Sequence, residues 1–289
     1  MRRVSSGYTI IEVSIFLAIS LVIAAATWNL IGGKQNEAAF DQKMHDTQTQ
    51  LQGYINDVSN GFSGGNPASQ NCTIASSLPL VKAGAPGAGY TPSCIFLGKA
   101  IQFNDATVGN NQDEQLYIYS VFGCRIISCS ATSAQLPDSM TVANPNPADG
   151  SSGQVDLTAT FDLSPAHVLG VCSMSACGAN PVQTNQSHLI GFFNSFNANA
   201  QSNGAEDLNV YQYPFKQNAA KDSGLVTKCL QVIPPGHCHL TGHTNPPSLT
   251  NYEVCLTDGQ RYAVISITSN SGIGATVKLD FTTQSQCYV

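Results

Sequence analysis

Charge is scarce in this chain. Asp, Glu, Lys and Arg make up 10% of its 289 residues, where an ordinary soluble domain carries roughly 25%. The few charges lean acidic, with 12 basic against 18 acidic side chains and a formal charge of −6. That balance excludes a phosphate-backbone surface, which needs clustered Lys and Arg, so no nucleic-acid partner is expected. Motifs of common chemistries are missing as well: there is no CxxC, P-loop, dinucleotide fingerprint or H-E-x-x-H. Enzyme activity has no positive support, and no cofactor is expected. Cysteine is absent before Cys72, then appears ten times up to Cys287. So many cysteines without a metal motif place this part of the chain in an oxidising space, as disulfides.

What is present at the start is a long apolar run. Residues 13–31, VSIFLAISLVIAAATWNLI, hold no charge and no Pro, and about 20 such residues span a bilayer as helix. Arg2 and Arg3 precede the run, so the positive-inside bias holds the short N-terminus in the cytoplasm and sends the rest outward. Glu12 stands at the edge of the run. An acid in a membrane costs roughly 2.5–3.5 kcal/mol on insertion scales and calls for a partner.

Beyond the run the sequence turns polar but keeps an apolar stripe: Phe40, Met44, Thr47, Leu51, Tyr54 or Ile55, and Val58. Steps of three and four residues put these on one helix face. One helix from Tyr8 to about Asn60 would measure about 80 Å at 1.5 Å per residue.

Three fates fit the N-terminus. A secretory signal peptide would be cut after the Ala24–Ala26 run to leave a protein starting at Thr27, and an uncleaved anchor would retain Met1. The third rests on Gly7-Tyr8-Thr9-Ile10-Ile11-Glu12, a short basic leader ending in Gly with Glu soon after. This stretch, joined to a helix apolar first and amphipathic later, resembles the prepilin signature of the type IV pilins. The resemblance covers about 50 residues and implies that a prepilin peptidase cuts after Gly7 and methylates the new amino terminus, Tyr8. It gives Glu12 its partner, the amine of Tyr8 in the same or a neighbouring subunit, with a reference pKa near 7.7–8.0. Loss of Arg2 and Arg3 moves the formal charge to −8. The sequence departs from the family pattern in Tyr8 for Phe, in Ser6 where a basic residue is common, and in having no Pro near Asn29. Gly32 and Gly33 are the weak point of the helix instead.

The expected fold is α+β and pilin-like, a long N-terminal helix packed on antiparallel sheet in a disulfide-rich head. Its parts are a leader over 1–7, a membrane or filament-core helix over 8–33, an amphipathic helix over 34–60, and a β-rich head over 61–289. The resemblance implies a structural pilus subunit, stored in the cytoplasmic membrane and later extracellular in the filament. Its partners would be other pilin subunits, the prepilin peptidase, the pilus assembly machinery and the inner membrane. The large head suits a minor or adhesive subunit. A pseudopilin of type II secretion, or a membrane-anchored or secreted binding module, are the alternatives.

In the head, strands are expected over 95–103, 115–122, 154–163, 188–193, 208–213 and 225–233. A hairpin turning at Asp258-Gly259 as type I′, followed by 274–281, gives a C-terminal meander placed to pack on the helix stripe. Stretches 63–71, 142–153 and 234–248 read as loops. Neighbour pairing of the cysteines gives Cys72–Cys94, Cys124–Cys129, Cys172–Cys177, Cys229–Cys238 and Cys255–Cys287, among 945 possible sets, the last bridge contributing about 3–4 kcal/mol.

Three further stretches invite chemistry. His237, Cys238, His239 and His243 can be written as a zinc or copper site but lack a recognised spacing, and a loop disulfide with solvated histidines accounts for them. Asp105, Asn110, Asn111, Asp113 and Glu114 are oxygen-rich without the EF-hand order, as in a solvated turn. Gly61 to Gly65 matches G-x-S-x-G, yet a helix precedes it where a nucleophile elbow needs a strand. No metal site is expected.

Overall fold

The computed structural model describes residues 9–65, 70–84, 93–104, 114–126, 129, 143–173, 187–194, 208–214, 226–227, 229–230, 251–270, 274–282 and 287. The chain divides into two compact units, Met1–Gln42 and Lys43–Val289.

One helix, α1, covers Ile10–Ser59 and runs through Gly32 and Gly33 without a break. Its 50 residues correspond to about 75 Å. The two halves follow from their side chains. From Ile10 to Trp28 every residue is exposed. In the second half Phe40, Met44, Thr47, Leu51, Ile55 and Val58 are each at most 2% exposed, and at the ambiguous position it is Ile55, not Tyr54, that is fully buried. Thr47 fits this stripe because its hydroxyl donates to the Lys43 carbonyl at 2.8 Å, which satisfies the polar atom within the helix.

The second unit is largely antiparallel sheet. Strands β1 (Gln70–Ala75) and β2 (Leu78–Ala83) form a hairpin, and β3 (Cys94–Asn104) pairs with β4 (Gln115–Cys124). The short β5 (Asn146–Pro147) and β6 (Ala159–Asp162) also join β4. Then come β7 (His167–Ser173), β8 (Ser187–Asn194), β9 (Leu208–Pro214), β10 (Asn251–Thr257), β11 (Tyr262–Asn270) and β12 (Gly274–Thr282). The larger sheet has the order β5-β4-β3-β8-β9, and a second sheet the order β12-β11-β10-β7. The C-terminal meander is therefore present, extended by β7 on the far side of β10.

Four expectations are corrected. Of residues 154–163 only Ala159–Asp162 form a strand. Residues 226–227 and 229–230 are helical, not extended: Val226, Cys229 and Leu230, spaced i, i+3, i+4, are buried together against Leu97, Tyr119 and Phe193, and that spacing suits a helix face rather than a strand. The β10–β11 hairpin pairs Thr257 with Tyr262, so its loop is Asp258–Arg261 and not a two-residue type I′ turn. The Asp258 carboxylate explains this, since it accepts from the Gln260 and Arg261 backbone N–H groups at 3.0 and 2.8 Å and from the Arg261 guanidinium. These bonds, Arg261 included, hold its carboxyl below the usual range against a burial that raises it. Finally, the stretches 63–71 and 142–153 contain the start of β1, all of β5 and a 3-10 turn at Ser151–Gly153; 234–248 lies outside the described residues.

A bulge in β3 orients the larger sheet. Pairing with β4 slips between Phe96 and Gly98, and Gly98 sits at φ +155°, where a Cβ would lie 1.9 Å from the Phe192 carbonyl oxygen. Only glycine allows β8 to come this close. Gly98→Ala is expected to lower stability by about 2–4 kcal/mol through overpacking and backbone strain, read as a lower urea midpoint with an unchanged slope.

The helix also closes a sheet edge. Among the described residues β12 pairs with β11 on one side only, and an open edge is a template for association. Gln52 Oε1 accepts from the Val277 N–H at 3.1 Å, Gln52 Nε2 donates to the Ala275 carbonyl at 3.4 Å, and Gln48 Nε2 donates to the Val277 carbonyl at 3.1 Å. The two amides thus replace a neighbouring strand. Gln52→Leu should cost about 1–3 kcal/mol by leaving partly buried backbone groups unpaired, with faster hydrogen exchange at Val277 as the specific readout.

Candidate functional site

The start of α1 is a capping box. Thr9 precedes the first helical residue, and Glu12 stands three positions on, the T-x-x-E spacing at which side chain and backbone satisfy each other. Glu12 Oε2 accepts from the Thr9 backbone N–H at 2.9 Å and from the Thr9 hydroxyl at 3.0 Å, while the Glu12 N–H donates back to Thr9 Oγ1 at 3.4 Å. The sequence carried this signal, and the expectation of a partner for Glu12 overlooked it. An acid here also lies at the positive end of the helix dipole.

Two hydroxyls of the apolar segment bond within the helix. Ser14 donates to the Ile10 carbonyl at 2.9 Å, and Thr27 to the Ile23 and Ala24 carbonyls at 2.9 Å each. In hydrocarbon, where no water is available, such bonding inside one helix is what makes a segment tolerable. Ile10–Trp28 has a mean hydropathy of 2.4, none of it buried. By length and composition it can cross a membrane or serve as a signal sequence. Ile10, Ile11, Phe16, Leu21, Val22 and Trp28 are all 67% exposed or more, so the apolar surface faces every direction.

Farther along, α1 carries a second polar constellation. Lys99 on β3 places Nζ 2.6 Å from Asp57 Oδ2 and 5.0 Å from the centre of the Tyr54 ring. The lysine side chain is 7% exposed, the aspartate 33%. Burial and then the Asp57 charge push the Tyr54 hydroxyl up, which keeps it neutral. A cation this deep is stable only when paired. The pair fixes helix to sheet, with the lysine covered and the aspartate partly open to solvent.

The cysteines divide into bonded and unbonded. Cys72 is bonded to Cys94 and Cys124 to Cys129, with Cα–Cα distances of 5.8 and 5.2 Å. Cys229 is in a disulfide; Cys238 and Cys177 lie outside the described residues, and Cys172 is on β7. Against expectation, Cys255 and Cys287 are free thiols, both buried. They lie side by side within one apolar cluster with Val264, Leu169 and Tyr262, in a packing that accepts two thiols as readily as small apolar groups.

Of the remaining candidates, Gly7 and Tyr8 lie outside the described residues, as do His237, His239 and His243, and Asp105, Asn110, Asn111 and Asp113. Glu114 accepts the Leu163 N–H through its backbone carbonyl. Gly61–Gly65 follows directly on α1, and the Ser63 carbonyl accepts a hydrogen bond from the Ser120 hydroxyl, so this segment is a helix exit. Among the described residues no three His, Cys, Asp or Glu side chains are placed to hold a metal ion.

Comparisons of the chain with family models, with curated proteins and with solved structures gave no match. The site is therefore read from its own chemistry: a capped, uniformly apolar helix bearing one acid, followed by an amphipathic half and a disulfide-braced head.

Proposed function

We propose that the chain is a structural subunit of a type IV pilus or a related pilin-based filament. The observation that carries this reading is the uncovered Ile10–Trp28 surface, apolar on all sides. A helix of this kind has two stable environments, a bilayer or a bundle of like helices. A filament subunit uses both in turn. Stored in the membrane, α1 is solvated by lipid; assembled, the same surface is buried against its neighbours, and the head is left outside.

Glu12 supports the same reading. A carboxylate offers about four acceptor sites, and Thr9 occupies two of them, both at Oε2. The remaining capacity suits a cationic donor such as the amine created by cleavage before Tyr8. A pair of opposite charges in apolar surroundings is tolerable where each alone is not, so subunits are held in the axial register that brings acid and amine together. The resemblance of Gly7-Tyr8-Thr9-Ile10-Ile11-Glu12 to the prepilin signature supplies the cleavage step. The disulfides fit a head that faces an oxidising space.

Immunogold labelling with antibody to the head tests the proposal. Label along or at the tips of cell-surface fibres is the expected result. Label confined to the cell envelope, with none on any fibre, would reject it in favour of an anchored module or a pseudopilin.

A further inference from the structure

Cys255 lies in the middle of β10, paired with Val264 of β11 on one side and Gly170 of β7 on the other. Cys287, 1% exposed, packs on it, with the Cys287 carbonyl oxygen 3.9 Å from Cys255 Sγ. The two bonded pairs described above are closed in the same fold, and this one is open. The open form is well accommodated: neither thiol reaches solvent, and the Cys255 thiol donates to the Cys287 carbonyl oxygen. A dithiol that the fold stabilises makes the corresponding disulfide easier to reduce, because the native packing favours the reduced partner of the couple.

We infer that Cys255 and Cys287 form a reversible dithiol–disulfide clasp, more easily reduced than Cys72–Cys94 and Cys124–Cys129, which ties residue 287 covalently to an inner strand of the four-stranded sheet. Closure needs a thiol–disulfide oxidant. One of the two thiols loses its proton and attacks one sulfur of the oxidant's disulfide, and the other sulfur of the oxidant leaves with that proton as a thiol. The remaining thiol gives up its proton and attacks the protein sulfur of the mixed disulfide, and the expelled sulfur takes that proton and leaves as the second thiol. Two electrons and two protons leave the protein, and one S–S bond forms.

The two sulfurs differ in their surroundings. The hydrogen bond to Cys287, helped by burial, keeps the proton on Cys255 and pushes that thiol up. The same bond, received by Cys287, lowers Cys287 against a burial that raises it. Because both sulfurs are buried, the oxidant reaches them only through local opening, and closure is slow. The inference is independent of the filament reading.

The test uses the full chain in detergent, treated with oxidised glutathione, then with graded dithiothreitol, then alkylated and mapped by peptide mass. A cross-linked Cys255–Cys287 peptide, about 2 Da lighter than the dithiol, is expected after oxidation. It should reopen at dithiothreitol concentrations at least tenfold below those that open Cys72–Cys94 and Cys124–Cys129. Cys287→Ser should lose this cross-link alone and keep the circular dichroism of the parent. Thiols still fully alkylated after oxidation, cross-links to other cysteines, or reopening only together with the other bridges would each overturn the inference.

Discussion

Glu12→Ala is expected to leave cleavage after Gly7 intact and to reduce assembled filaments at least about tenfold. The reasoning is an accounting of charge in apolar surroundings. In the parent, Glu12 holds Thr9 through Oε2 and keeps acceptor capacity for an amine. A charge-assisted hydrogen bond contributes about 1.5–3 kcal/mol, and each 1.4 kcal/mol is tenfold in association. In the proposed filament, removing the acid would also strand the Tyr8 amine among aliphatic side chains, which adds to the expected loss. Glu12→Ala also removes the Thr9 cap bonds, so Glu12→Gln, which keeps an acceptor for the cap but no charge, is the control and should lose assembly to a similar extent. Equal fibre yield from parent and variant, with both proteins processed at Tyr8, would show that the acid has no assembly role.

The second large effect is asymmetric. Asp57→Ala should destabilise the head by about 3–5 kcal/mol, the range for breaking a buried ion pair from one side, whereas Lys99→Met should cost under about 1.5 kcal/mol. The difference lies in what is left behind. Without Asp57, a lysine with 7% side-chain exposure keeps a charge it cannot solvate; without Lys99, an aspartate with 33% exposure turns to water. Methionine also fills the lysine stem's volume. At about 2–4 °C per kcal/mol for a head of this size, the two variants should differ by several degrees in Tm. The double variant should match Lys99→Met closely, since the two sites share one interaction. Equal losses from the two single changes would mean that the pair is solvated and contributes little.

Much of the frame was legible from local pattern. The apolar run, the stripe from Phe40 to Val58 and the hydrophobic strands β3, β4, β8, β9 and β12 each announce themselves by period and length. Other elements were hidden for identifiable reasons. The β1–β2 hairpin turns on Ser76 and Ser77, at φ 51° and 62°, positions where Gly or Asn would have given the signal. Strand β6 is short because only Ala159–Asp162 run beside β4. Residues 226–230 carry β-branched residues that read as strand, while the buried faces of Val226, Cys229 and Leu230 decide for helix. Tertiary packing overrides propensity there.

The candidate site divides along the same line. Thr9 and Glu12 are three residues apart, so their capping box was written in the sequence. Lys99 and Asp57 are 42 apart, and Gln52 and Val277 are 225 apart; only the fold brings them together. The open Cys255–Cys287 pair is of the second kind. Its adjacency matched simple neighbour pairing, but that the two thiols are free and buried in one apolar cluster was not legible in the sequence.

The central claim is that the apolar helix is exposed at its N-terminus by one cut and kept whole thereafter. Mass spectrometry of the N-terminal peptide from protein recovered from producing cells tests it most directly. The account predicts a chain beginning at Tyr8 with one added methyl group. A chain beginning at Met1, or at Thr27 with the apolar run discarded, would contradict it.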